Sequence, residues 1–328
     1  MKKAVKRVLI TISMILCIGF IGYQGIYSRV YNQSNTKRDT GIGTDVEQLT
    51  AEKIIRDMAG FSNRYAGSKD NSSAVQYIRN YFNGIGLEPF YDGNYYQSFE
   101  SDYLKCSRYF LVNVQGTIEN VIGKIKGKNS TKAVVISAHM DSFLSKGVLD
   151  NASGTAVLLK TAQKLSQEFQ PEEYPIDIIF AAYNAEENGL IGSRAFYQEL
   201  SNKYRDFYNI NLDCVGARDK PLAVKNEHET SAELYREFIP YLDQYGIPYK
   251  NVMYAANPDG EVTGTSDHEI FQEHGHTAII LGEDDIIDIV HSKQDNNMEN
   301  LDFDEIDRLI SAVVEFIKSS DGKIFPPQ

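Results

Sequence analysis

From Val46 to Gly86 apolar side chains recur at helical spacing: Leu49, Ile54, Ile55 and Met58, then Ala74, Tyr77, Ile78, Tyr81 and Phe82. Residues three or four apart share one helix face, so the stretch predicts two amphipathic helices. Asn83-Gly84 and Gly86 break the second. The period then changes. Tyr109–Val114 and Asn120–Ile125 read as strands, and four continuous apolar runs follow, each stopping at a polar cluster. Ala133–Ala138 stops at His139, Ile176–Tyr183 at Asn184, Phe207–Leu212 at Asp213, and Thr277–Leu281 at Gly282. Helical patterns lie between them, notably Ala152–Phe169 and Phe303–Lys318. Apolar strands alternating with helices predict an α/β fold: a single globular domain with a central mixed, mostly parallel β-sheet flanked by helices on both faces. In such sheets functional groups gather beyond the carboxyl ends of the strands, where the polar clusters lie.

The amino terminus has a different pattern. Lys2, Lys3, Lys6 and Arg7 precede an apolar run from Val8 to Tyr23, and no acidic residue occurs before Asp39. A basic flank before such a run reads as an export signal or a signal anchor. There is no clean small-x-small cleavage site, and Cys17 follows Leu16 rather than a small residue, which weakens a lipoprotein reading. The expected organisation is residues 1–30 as signal peptide or anchor, 31–44 as a polar linker and 45–328 as the folded domain. That places the domain outside the cytoplasm, secreted or anchored, with membrane contact only through the amino-terminal segment. The net charge is −12, and loss of residues 1–30 takes it to −17. An acidic exported part argues against nucleic acid or an anionic membrane as its main partner. Only Cys106 and Cys214 remain beyond the signal, which is no disulfide scaffold.

Chemistry concentrates at five places. In His139-Met140-Asp141 the outer residues point the same way on an extended segment, so the carboxylate can lie near the imidazole, as behind a metal-bound histidine, although a surface loop explains the pair about as well. Asp150-Asn151-Ala152-Ser153-Gly154 opens a helix and reads equally as a cap or as a carboxylate bridging two cations. Asn184-Ala185-Glu186-Glu187 follows a buried strand, where two glutamates are costly unless something positive meets them. Asn211-Leu212-Asp213 is another strand ending in a carboxylate, and His291-Ser292-Lys293-Gln294-Asp295 follows an acidic stretch. One His, one Asp, one Glu, one Asp and one His make a mixed nitrogen and oxygen donor set suited to zinc.

These stretches, with Gly189-Leu190-Ile191-Gly192-Ser193 and Ser266-Asp267-His268, resemble the M28 family of co-catalytic zinc aminopeptidases over roughly residues 45–320. The resemblance implies two zinc ions, one on His139 and Asp213, the other on Glu187 and His291, with Asp150 bridging them. It implies Glu186 as general acid and base, Asp141 orienting His139, and a cis peptide bond at Asp150-Asn151. The substrates implied are peptides with a free amino terminus. Ser266-Asp267-His268 is no serine-protease relay, because three consecutive residues cannot take that geometry and no Gly-x-Ser-x-Gly elbow is present. It reads as a loop shaping the site or as a polar turn. Some members steady the tetrahedral intermediate with a tyrosine shortly before this serine. Here Thr263 precedes Ser266 by three residues and the nearest earlier tyrosine is Tyr254, so the role goes unassigned. Two other readings share the fold: a glutaminyl-peptide cyclotransferase and a non-catalytic binding protein.

Overall fold

The computed structural model describes residues 46–100, 104–107, 110–113, 117–225, 231–251, 266–283 and 285–326. The expected segments 1–30 and 31–44 lie outside them. The two amphipathic helices are α1 (Ala51–Gly60) and α2 (Lys69–Gly84). Thr50 and Ser68 cap them, their side chains accepting from the backbone N–H groups of Lys53 and Asn71, which satisfies one orphan donor at each start.

Five strands follow: β1 (Glu88–Pro89), β2 (Tyr96–Glu100), β3 (Leu104–Ser107), β4 (Phe110–Asn113) and β5 (Thr117–Ile125). The chain continues through β6 (Asn129–His139), α3 (Gly154–Glu168), β7 (Ile176–Tyr183), α4 (Ile191–Lys203), β8 (Asp206–Leu212), β9 (Leu222–Lys225), α5 (Ala232–Gln244) and β10 (Tyr249–Asn251). It ends with α6 (His268–Glu273), β11 (Ala278–Glu283) and α7 (Phe303–Ser320). Nine strands form a mixed sheet in the order β1-β5-β7-β6-β8-β11-β9-β10, with β2 also paired to β5. The central four, β7-β6-β8-β11, run parallel, and antiparallel pairings flank them. The strand expected around Tyr109–Val114 forms a separate antiparallel hairpin, β3 with β4. Among the described residues no helix is long and apolar enough to cross a membrane.

Alternation along the central strands divides the core. Val134, Ile136, Ala138, Ile178, Phe180, Ile210 and Leu212 pack with α1, α2, α3, α5 and α7 on one face. Ala133, Val135, Ile179, Ala181 and Tyr183 pack with α4 and α6 on the other. Both faces are therefore dry, which is why these strands read as unbroken apolar runs. Each fully buried large apolar side chain contributes about 1.5–3 kcal/mol. At the amino end of β7 the buried Asp177 accepts from Gly127 N (2.8 Å), Ser130 Oγ (3.0 Å) and the Tyr204 hydroxyl (2.6 Å). The opposite, carboxyl ends of the parallel strands open onto the polar clusters.

Candidate active site

His139 is the last residue of β6, buried, with its carbonyl accepting from Thr155 Oγ1 at 2.9 Å. Its Nε2 lies 3.2 Å from Asp150 Oδ1 and 3.3 Å from Asp213 Oδ1. His291 Nε2 lies 3.1 Å from Asp150 Oδ2 and 2.8 Å from Glu187 Oε2. Two donor groups result, His139–Asp150–Asp213 and Asp150–Glu187–His291, and each takes one oxygen of Asp150. Tetrahedral ligands about 2.0–2.1 Å from a zinc ion sit about 3.3 Å from one another. Three of the four contacts come within 0.2 Å of that spacing, and the His291–Glu187 pair is at ordinary hydrogen-bond length. Glu187 Oε1, also buried, has no hydrogen-bond partner among the described residues. A site of three carboxylates and two imidazoles with an orphaned oxygen fits cations.

The electrostatics agree. Burial alone would lower the His139 pKa, but Asp213, Glu186, Asp141 and Asp150 raise it well above its usual value. Burial pushes the Glu187 carboxyl up to about 7, and Asp150 pushes the same way against the pull of His291. Glu186 belongs to neither donor group. Burial drives its carboxyl well above the usual carboxylate range, Glu187, Asp213 and Asp267 add to this, and His139 opposes.

Asp141 has more contacts than a histidine partner needs. Its Oδ1 lies 3.4 Å from His139 Nδ1 and accepts from Glu186 N at 3.2 Å, while Oδ2 accepts from Glu187 N at 3.2 Å. One carboxylate thus ties the end of β6 to the turn after β7.

The Asp150–Gly154 segment resolves the choice between cap and site by dividing the labour. Asp150 faces the donor groups, whereas Asn151 Oδ1 accepts from Gly154 N (2.9 Å) and Cys214 N (3.2 Å). Asn151 Nδ2 donates to Leu212 O at 2.9 Å, so it pins the start of α3 to the end of β8, and the Asp150-Asn151 bond is cis. A Cβ on Gly154 would meet Leu212 O at 2.4 Å, which explains why a glycine stands so close behind the carboxylate. Gly154→Ala is therefore expected to lower stability by about 1–3 kcal/mol by overpacking, although alanine favours helix. Chemical denaturation would show it as a lower midpoint, and an unchanged midpoint would contradict this close packing.

Asp295 stitches two site loops together, accepting from Leu149 N at 2.6 Å and Ser145 Oγ at 3.0 Å. Ser266, Asp267 and His268 are fully or almost fully buried at the start of α6, which excludes an exposed polar turn. Ser266 Oγ accepts from Asn211 Nδ2 at 2.8 Å. Thr263 and Tyr254 lie outside the described residues. Cys214 is a buried free thiol.

The sequence reading passed over Arg64, which is fully buried. Its Nε donates to Met140 O at 2.7 Å, Nη1 to Met58 O at 3.2 Å and to Lys146 O, and Nη2 to Gly147 O at 3.0 Å. Burial lowers its pKa to about 10, and Asp295, Asp141, Asp150 and Glu187 pull the other way. Gly147, at φ 57°, leaves room for it, since a Cβ there would stand 2.7 Å from Arg64 Nη2.

Comparison with known proteins gives a consistent picture. The family model described as peptidase family M28 matches residues 120–317. Aminopeptidase YwaD of Bacillus subtilis (strain 168) is 36% identical over 171 residues, 48% of this chain and 34% of that protein. The chain thus spans about a third of the length of that curated relative. A leucine aminopeptidase precursor from Bacteroides thetaiotaomicron superposes with a TM-score of 0.66 at 18% identity, over 84% of this chain and 97% of the other. A glutaminyl cyclase from the same organism superposes with a TM-score of 0.64 at 17% identity, also over 84% and 97%.

Proposed function

The chain belongs to peptidase family M28, and from that membership we propose that it is a two-zinc aminopeptidase in which Glu186 carries the proton. The observation that carries the reading is the pair of donor groups sharing Asp150 beside a glutamate that belongs to neither. In it, His139 and Asp213 hold one ion, Glu187 and His291 the other, and Asp150 both. Bound there, zinc would supply Lewis acidity towards a water molecule and the scissile carbonyl. Glu186 takes a proton from the attacking water on a carboxylate oxygen and returns it to the departing amine nitrogen. Asp141 keeps His139 in one orientation and, through its two backbone contacts, fixes where the Glu186 carboxylate stands.

The substrates are peptides with a free amino terminus, and export rests on the basic flank and apolar run of residues 2–23. The cyclotransferase reading draws on the comparable likeness to the cyclase structure, so the test separates products. A panel of amino-terminal fluorogenic substrates should be hydrolysed, and acetylating the amino terminus of a cleaved peptide should stop its turnover. Equal turnover of the blocked peptide would make this an endopeptidase. Release of a pyroglutamyl product from a glutaminyl peptide without hydrolysis would make it a cyclase.

A further inference from the structure

All five residues of the donor groups fall within the matched stretch 120–317. Several side chains that hold their loops come from outside it, from the few residues between α1 and the first turn of α2. Arg64 fixes Met140–Gly147 as described, and its backbone N–H donates to Ser142 Oγ at 3.0 Å. Asn71 forms a reciprocal amide pair with Asn184, each Nδ2 donating to the other's Oδ1 at 2.9 Å. The second N–H of Asn71 donates to Arg64 O at 2.9 Å. Asn184 Oδ1 also accepts from Ala185 N at 2.9 Å, and its Nδ2 also donates to Glu119 O at 3.0 Å. The Tyr65 hydroxyl accepts from Asn188 Nδ2 at 2.7 Å. Its ring packs on Phe143, centroids 6.0 Å apart, and Phe143 stands edge-on to His291 at 5.9 Å.

Asn184 and Asn188 bracket Glu186 and Glu187. Ala185 adopts φ 58°, a left-handed conformation that a residue with a Cβ holds only when its surroundings impose it. Apolar packing would bury this turn equally well but would not fix its height, because dispersion contacts have no direction. A paired amide does.

We propose that Asn71, assisted by Tyr65, is a positioning residue for the peptidase reaction: through Asn184 and Asn188 it sets the turn that places Glu187 at its cation and Glu186 at its proton. This rests on the aminopeptidase reading above. Asn71→Leu keeps the volume and removes the amide. In the full-length protein, zinc affinity at the weaker site, measured by competition with a chromophoric chelator, should fall about tenfold, as outer-shell changes do. kcat should fall about tenfold with KM within about twofold, the split expected for lost transition-state placement. Tyr174→Phe, which removes hydrogen bonds to the Ile317 carbonyl and the Gly322 N–H at the other end of the sheet, is the control for lost stability alone. If Asn71→Leu lowers the melting temperature but matches Tyr174→Phe in zinc affinity and kcat, the proposal is overturned. Should Asn71→Leu not fold, Tyr65→Phe, which removes only a hydroxyl, must shift both quantities the same way by about threefold, and unchanged values overturn it. Wild-type protein that binds zinc yet cleaves no peptide would sink the aminopeptidase reading instead, and the zinc titration would still report on Asn71.

Discussion

Glu186→Gln should lower kcat by about 10²–10⁴-fold, the range general acid and base catalysis supplies, while zinc content and melting temperature stay near wild type. The substitution preserves size and hydrogen bonding and removes the basic oxygen. Its backbone contact to Asp141 survives, because that bond uses the N–H of residue 186. Glu187→Gln should fail differently. Glu187 Oε2 stands 2.8 Å from His291 Nε2 within a donor group, so its loss should weaken one ion, and excess zinc should partly restore activity. Metal analysis beside steady-state kinetics separates the two. If Glu186→Gln loses zinc and Glu187→Gln keeps it, the assignment is reversed. If neither lowers kcat more than about tenfold, the proton-transfer role is wrong.

Removing metal should be at least as severe. Chelation is expected to abolish turnover and zinc to restore it, because three carboxylates converge with only two imidazoles between them. It should also destabilise the fold, since a ligand held a thousandfold above its Kd stabilises by about 4 kcal/mol. A lower denaturation midpoint after dialysis against chelator, with elemental analysis approaching one zinc per donor group when saturated, would bear this out. One ion per chain with full activity would favour the cyclotransferase reading.

Much of this was legible beforehand, for one physical reason. The central strands are buried on both faces, so their runs are unbroken and stop abruptly where chemistry begins. Hence His139, Asp213 and the Glu186-Glu187 pair stood out. Element limits moved little: the helix expected over Ala152–Phe169 spans Gly154–Glu168, and Phe303–Lys318 extends to Ser320. What stayed hidden is what acts at long range. Arg64 and Asn71 are polar residues between helical patterns, and their partners on the site loops lie 76 to 113 positions away. No local periodicity points to such a contact. α5 was also missed: Leu234, Phe238 and Leu242 recur at helical spacing, but Pro240 inside it reads as a helix breaker. Ser266-Asp267-His268 read equally as a loop shaping the site or as a polar turn because its residues are polar, and its burial, with Asn211 donating to Ser266, removes the exposed turn.

The bond between Ser145 and Asp295 joins residues 150 positions apart, and His291 meets Glu187 across 104. Contacts of such separation close large loops and form late in folding. During synthesis, a chain that has emerged only as far as Asp213 carries four of the five donors and lacks His291. The second donor group cannot close until His291 has followed. The order of residues along the sequence therefore acts as a timer on the activity proposed above.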